Sequence, residues 1–254
     1  MRILERALIS LPYAVTDRVL FGFHPLVRPL QVLVQHLIGG PRSASFLLDG
    51  HTFNCSTAEK YFFEREHFEQ ELWSVLSNFV GSQDIVYDFG AHIGFWALRL
   101  SRVCRHVVAF EPSPVNFQRL QRNVSNLSNI TLVNAALAAA EGEFKFTEAG
   151  SMSALGGDGA VVKATTLDLA ATRYPAPTFL LMDVEGHADE VLRGGTSLLR
   201  QKVPMICEIH SEQEERPTLQ ILREWGYEIS RIDHAHQYPF RIGANSGGRT
   251  ITVL

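Results

Sequence analysis

Apolar and polar positions along this chain change period several times, and each change marks an element. Phe46-Leu47-Leu48 and Thr52-Phe53 flank Asp49-Gly50. A two-residue Asp-Gly turn between such runs predicts a β-hairpin over residues 45–55. Ser56-Thr57-Ala58-Glu59 has the form of a capping box, in which hydroxyl and carboxylate satisfy N–H groups at a helix start. A helical stretch follows through Tyr61, Phe62, Phe68, Leu72, Val75 and Leu76, with a break near His67, and residues 81–84 end it.

From residue 85 onward, short apolar runs alternate with helical stripes. Ile85-Val86-Tyr87 reads as a buried strand ending on Asp88, and residues 106–110 as a second ending on Glu111. Residues 130–133 form a third, ending at Asn134-Ala135-Ala136. Residues 178–182 form a fourth, running into Asp183-Val184-Glu185-Gly186-His187. Residues 204–207 form a fifth, ending on Glu208-Ile209-His210. Pro112-Ser113-Pro114 caps a helix whose stripe is Val115, Phe117, Leu120, Val124 and Leu127. A second helix buries Val191, Leu192, Leu198 and Leu199, and a third runs to about Trp225, where Gly226 stops it. Residues 144–146 and 161–164 make short strands around a glycine-rich loop at 150–159. Two closing strands are expected at 227–232 and 250–254, joined by a polar loop holding His234, His236, Tyr238 and Arg241. Such alternation predicts an α/β fold, a Rossmann-like, doubly wound, mostly parallel seven-stranded sheet with helices on both faces. Residues 1–56 would form an N-terminal helical cap and hairpin, and residues 57–254 the ligand-binding domain.

Composition adds exclusions. The 254 residues are 46% hydrophobic and 20% charged, with a net charge of −4 and no basic run interleaved with aromatics, so nucleic acid is not an expected partner. Cys55, Cys104 and Cys207 form no C-x-x-C pair. A disulfide framework or zinc site is therefore not expected, and the cytoplasm is the default location. Residues 1–43 are apolar, with Arg2, Arg6, Arg18, Arg28 and Arg42 against Glu5 and Asp17, and Pro12 and Pro25 divide them into short helices. No uncharged stretch there reaches the roughly 18 residues of a membrane span. A cap packed on the catalytic domain is the first reading, and an amphipathic surface in peripheral contact with a membrane is the second.

The candidate chemistry sits at the strand ends. Residues 85–94 read strand, glycine turn, helix start, which brings backbone N–H groups to the carboxyl edge of a sheet. The spacing is Asp88-x-Gly90-x-x-x-Gly94, and His92 stands where a dinucleotide fingerprint needs its middle glycine. Asp88 would repel a pyrophosphate and attract a cation. S-adenosylmethionine carries an ammonium and a sulfonium and no phosphate, so it suits this edge better than NAD. Glu111, at the end of the next strand, is placed to accept ribose hydroxyls. The alternatives are an NAD-dependent oxidoreductase or epimerase, and a catalytically inactive fold serving as a binding module.

With Asp88 to Gly94, Ala109-Phe110-Glu111-Pro112, Leu120-x-x-Asn123, Asn134-Ala135-Ala136 and Asp183-Val184-Glu185-Gly186 in order, the chain resembles the FkbM-type S-adenosylmethionine-dependent methyltransferases. The likeness implies O-methylation of a hydroxyl on a sugar, glycan or natural product. It implies a cofactor set of Asp88, Gly90, Ala91, His92, Gly94, Glu111, Pro112, Asn134, Ala135 and Asp183. Within it, Asp88 and the glycines would hold the methionine end, Glu111 the ribose, Asn134 and Ala135 the adenine side, and Asp183 the transferring methyl. Met182 stands where the family often has a lysine.

An alcohol acceptor must lose a proton, and a placed base is worth roughly 10²–10⁴ in rate. His187 is the first candidate, because a neutral imidazole accepts a proton near neutral pH, followed by His210 and Glu185. Asp183, Glu185 and Glu208 also form an oxygen-rich set of the kind that suits Mg²⁺.

Overall fold

The structure, a computed structural model, describes residues 43–56, 59–60, 63, 69–147, 154–155, 160–232 and 240–245. Expectations for residues 1–42, for Tyr61, Phe62 and Phe68, for most of loop 150–159, for His234, His236 and Tyr238 and for 250–254 lie outside these residues. The chain divides into two compact units, residues 1–46 with 55–64 and residues 47–54 with 65–254. Among the described residues no helix is long and apolar enough to cross a membrane.

The hairpin forms from β1 (Ser43–Leu48) and β2 (His51–Ser56). Asp49 and Gly50 both take positive φ at its turn, the geometry that an Asp-Gly pair tolerates best. The capping box also forms: the Ser56 N–H donates to Glu59 Oε2 at 2.6 Å, and the Glu59 N–H donates to Ser56 Oγ at 3.2 Å.

The second unit is built on a seven-stranded sheet. Its strands are β3 (Ile85–Phe89), β4 (His106–Phe110), β5 (Ile130–Val133), β10 (Phe179–Met182), β11 (Met205–Ile209), β12 (Glu228–Arg231) and β13 (Phe240–Asn245). In space they run β12-β13-β11-β10-β3-β4-β5; β13 is antiparallel to both neighbours, and the remaining pairs are parallel. Strands at the centre of such a sheet are covered on both faces, so they read as continuous apolar runs. Val86, Tyr87 and Phe89 of β3 and Leu180 and Met182 of β10 are accordingly buried. The buried Tyr87 hydroxyl donates to the Ala170 carbonyl at 3.2 Å. Strand order reverses between β3 and β10, and in open α/β sheets that crevice is where ligands bind.

The helices are α1 (Gln70–Phe79), α2 (Phe95–Leu100), α3 (Pro114–Asn123), α4 (Leu167–Arg173), α5 (Ala188–Arg193), α6 (Thr196–Arg200) and α7 (Glu212–Glu224). Ser113 caps α3 as expected, accepting from the Asn116 N–H at 3.2 Å. Val115 is 58% exposed and leaves the stripe, because Leu120 and Val124 already fill the inward face.

Four other features differ from the sequence reading. Residues 188–200 form two helices instead of one, because Gly194 and Gly195 pack where a Cβ would meet the Ala138 carbonyl at 2.3 Å and the Leu167 side chain at 2.6 Å. The short strands belong to a second sheet, β6 (Ala136–Leu137), β9 (Ala160–Thr165), β7 (Gly142–Thr147) and β8 (Ala154–Leu155), in that order. Helix α4 had no sequence-based counterpart. Finally, the strand that closes the sheet beside β11 is β13, so Arg241 lies on a strand and not in a polar loop.

Candidate active site

The glycine loop after β3 is held closed by its own donors. The N–H groups of Gly90 and Ala91 both donate to the Phe110 carbonyl, at 3.1 and 3.0 Å, and that of Gly94 donates to Ala91 at 2.8 Å. The His92 N–H donates to Glu111 Oε2 at 2.8 Å. Glu111, only 4% exposed, also accepts from the Ser113 N–H through Oε1 at 2.8 Å. Asn134 donates from its side chain to the Glu111 and Pro112 carbonyls at 2.8 and 3.1 Å, and so braces the same corner, with Ala135 buried next to it. Asn123 fastens the corner from the other side. Its amide donates to the carbonyls of Ile93 and Asn54, and its oxygen accepts from the Asn54 N–H.

The glycines answer to packing. A Cβ on Gly90 would lie 1.8 Å from the Asp183 carbonyl oxygen, and one on Gly94 would lie 2.7 Å from Leu120; both have positive φ. Gly90 thus lets β3 and β10 close on each other at the switch point. His92 (φ 50) and Glu185 (φ 49) also adopt left-handed backbone, which is uncommon for residues with a side chain and concentrates at functional sites.

Asp88, the penultimate residue of β3, is 2% exposed, and its Oδ2 has no hydrogen-bond partner. Burial, then the charges of Asp183 and Glu111, push its carboxyl up to about 8. A buried carboxylate is costly unless it is paired, so this position could hold a cationic group. The paired N–H groups of Gly90, Ala91, His92 and Gly94 leave the loop poorly equipped to cradle a phosphate.

A second acidic group lies at the ends of β10 and β11. His210 Nε2 is 3.3 Å from Asp183 Oδ1, 3.5 Å from Glu185 Oε2 and 3.9 Å from Glu208 Oε1, and its Nδ1 is 3.6 Å from Glu214 Oε2. Arg241 of β13 donates to Glu208 Oε2 at 2.6 Å and to Glu69 Oε1 at 2.7 Å. Burial pulls the His210 imidazole down, but Asp183 and Glu214, then Glu185, outweigh it and hold it at about 11, so the ring is an imidazolium at neutral pH. Burial also opposes ionisation of Asp183, whose side chain is 43% exposed. His210, with Arg241 and His92, holds it below the usual carboxylate range. Burial and Asp183 push Glu185 up to about 8, and Glu208 is raised to about 7 against the pull of Arg241.

The structure therefore draws His210, Asp183 and Glu185 together. His187 takes the N-cap position of α5, where its side chain makes no cap bond. Glu214, Arg241 and Glu69 join the site without having been singled out for it from sequence. The Asp183, Glu185 and Glu208 set expected for magnesium is altered. Glu208 turns to Arg241, and the three groups that could each offer one ligand atom, all within 4.8 Å of one another, are Asp183, Glu185 and His210. One imidazole already ion-paired to two carboxylates departs from the oxygen set that magnesium prefers.

Comparison with known proteins bears on the family and the fold. A family model described as the methyltransferase FkbM domain matches residues 88–229. The hexuronic acid methyltransferase AglP of Haloferax volcanii is 30% identical over 172 residues, covering 61% of this chain and 68% of that protein. Among solved structures, the methyltransferase FkbM from Methylobacillus flagellatus has a TM-score of 0.51 at 20% identity; the match covers 74% of this chain and half (50%) of that one.

Proposed function

The chain belongs to the FkbM methyltransferase family, and from that premise we propose that it methylates a hydroxyl of a sugar, glycan or related natural product, using S-adenosylmethionine. The observation that carries the cofactor reading is Asp88, a buried acid with an unpartnered oxygen beside a loop whose N–H groups are engaged elsewhere. A carbohydrate-type acceptor is supported by the likeness to a protein named hexuronic acid methyltransferase.

When bound, S-adenosylmethionine supplies a methyl group on a sulfonium, open to in-line attack by the acceptor oxygen. Asp88 offers its carboxylate to the cationic methionine end. Glu111 accepts from the His92 and Ser113 N–H groups, and a carboxylate can accept several bonds at once, so it is the acid assigned to a ribose hydroxyl. Asp183, Glu185 and His210 line the acceptor side, at the ends of β10 and β11. Holding acceptor and donor in register there can contribute about 7–11 kcal/mol toward the barrier.

The acceptor proton goes to Glu185. Its affinity for a proton near neutral pH is matched to that task, whereas His210, already an imidazolium, has no free lone pair. His210 instead balances Asp183 and Glu185 electrostatically, and His187 is assigned no proton-transfer role. The test is incubation with methyl-labelled S-adenosylmethionine and separated sugar, glycan and lipid fractions. Label in a base-stable ether on a carbohydrate is expected. Label confined to amines or carboxyl esters would overturn the hydroxyl reading.

A further inference from the structure

Glu214 lies on the first turn of α7 beside Glu212 and Glu215, yet its side chain is fully buried. Its backbone N–H is taken by Ser211 Oγ at 3.3 Å, so Ser211 and Glu214 begin as a capping box. The carboxylate then departs from that pattern. Oε1 accepts from the Ala188 N–H at 3.0 Å, at the start of α5, and Oε2 accepts from the His210 N–H at 2.7 Å, at the end of β11. One carboxylate therefore ties together the three segments that converge on the acceptor side of the site. The same Oε2 faces His210 Nδ1, a buried ring nitrogen with no hydrogen-bond partner of its own.

We propose that Glu214 is a positioning residue, which fixes the His210 ring with Nδ1 toward Glu214 and Nε2 between Asp183 and Glu185. The inference deepens the methyltransferase reading above and rests on it for its catalytic meaning. An acid behind one imidazole nitrogen keeps a proton on that nitrogen and, with acids also facing the other, fixes the orientation of a ring protonated on both. The charged groups around the ring are Asp183 and Glu185 from the loop after β10, Glu208 from β11 and Glu214 from α7. Arg241 of β13 and His92 of the glycine loop act on it through Glu208 and Asp183. Of these, Glu214 alone faces Nδ1.

The test is nitrogen NMR on full-length protein labelled at histidine, with the His210 resonances assigned through a His210→Asn variant. In the wild type at about pH 7, Nδ1 is expected to carry a slowly exchanging proton; a bare Nδ1 overturns the proposal. In Glu214→Gln, which removes the charge at nearly the same shape, the Nδ1 proton is expected to exchange faster with solvent and its resonance to shift, and an unchanged spectrum overturns the proposal. If that variant does not fold, Glu214→Asp keeps the charge and withdraws it by one methylene. Faster solvent exchange of the Nδ1 proton is expected there, and wild-type exchange overturns the proposal. S-adenosylhomocysteine binding is measured on the same samples. A wild type that takes up none of it, with the Nδ1 pattern intact, would refute the cofactor reading and leave Glu214's role standing.

Discussion

Asp88 and Glu185 carry separable parts of the chemistry, and single substitutions tell them apart. Asp88→Asn removes the charge from a buried position of nearly unchanged shape. A lost charged hydrogen bond of about 1.5–3 kcal/mol predicts S-adenosylhomocysteine binding weaker by about 10–150-fold, read by calorimetry. Glu185→Gln should leave that affinity nearly intact and lower turnover by roughly 10²–10⁴. His187→Ala should change turnover by less than about threefold, since its side chain makes no cap bond and the proton-accepting role is assigned to Glu185. The acids at strand ends were legible in the sequence because a strand that stops on Asp or Glu at a switch point has a chemical reason to do so. Glu214 was not, since Glu212, Glu214 and Glu215 look alike until the helix is placed against β11. The one signal was Ser211 three residues earlier.

At the scale of elements, the glycine loop is held by side chains from beyond it. Asn123→Ala would leave the Asn54 N–H and the Ile93 carbonyl without partners. A loss of about 1–3 kcal/mol in unfolding free energy is expected, measured by urea denaturation, together with weaker cofactor binding as the loop loosens. Strands β3, β4, β5, β10 and β11 were readable because each is an apolar run bounded by turn residues. Strand β13 was not. Arg241, Gly243 and Asn245 give it the look of a loop, but its place between β11 and β12 covers both edges, and its arginine is neutralised by Glu208 and Glu69. The split between α5 and α6 escaped for a related reason. Gly194 and Gly195 are required by contacts with Ala138 and Leu167, which are distant in sequence.

For the molecule as a whole, the raised carboxyls set the sign of the pH dependence between about pH 4 and 8, with His106, lowered by burial, opposing them and the depressed Asp183 and Glu214 acting below that window. Asp88 and Glu185 at about 8, and Glu208 at about 7, bind protons more tightly folded than unfolded, where ordinary carboxylates titrate near 4. The folded state thus holds more protons between about pH 4 and 8, and stability must fall as pH rises through that window. His210, raised to about 11 from 6.5, adds a decline with the same sign above its unfolded value. The thermal midpoint of the ligand-free protein should therefore drop from pH 5 to pH 8, with a smaller drop in Asp88→Asn. A cationic ligand that pairs with Asp88 should release protons on binding and recover part of the loss.

The central claim is that a buried acid at the switch point receives a positively charged adenosyl donor. Calorimetric titration of the full-length protein at about pH 8 with S-adenosylmethionine, S-adenosylhomocysteine and NAD tests it most directly. One-to-one uptake of both adenosyl ligands is expected, with proton release for S-adenosylmethionine, seen as a dependence of the heat on the buffer, and no NAD binding. Folded protein that binds NAD, or that takes up neither adenosyl ligand, would contradict it.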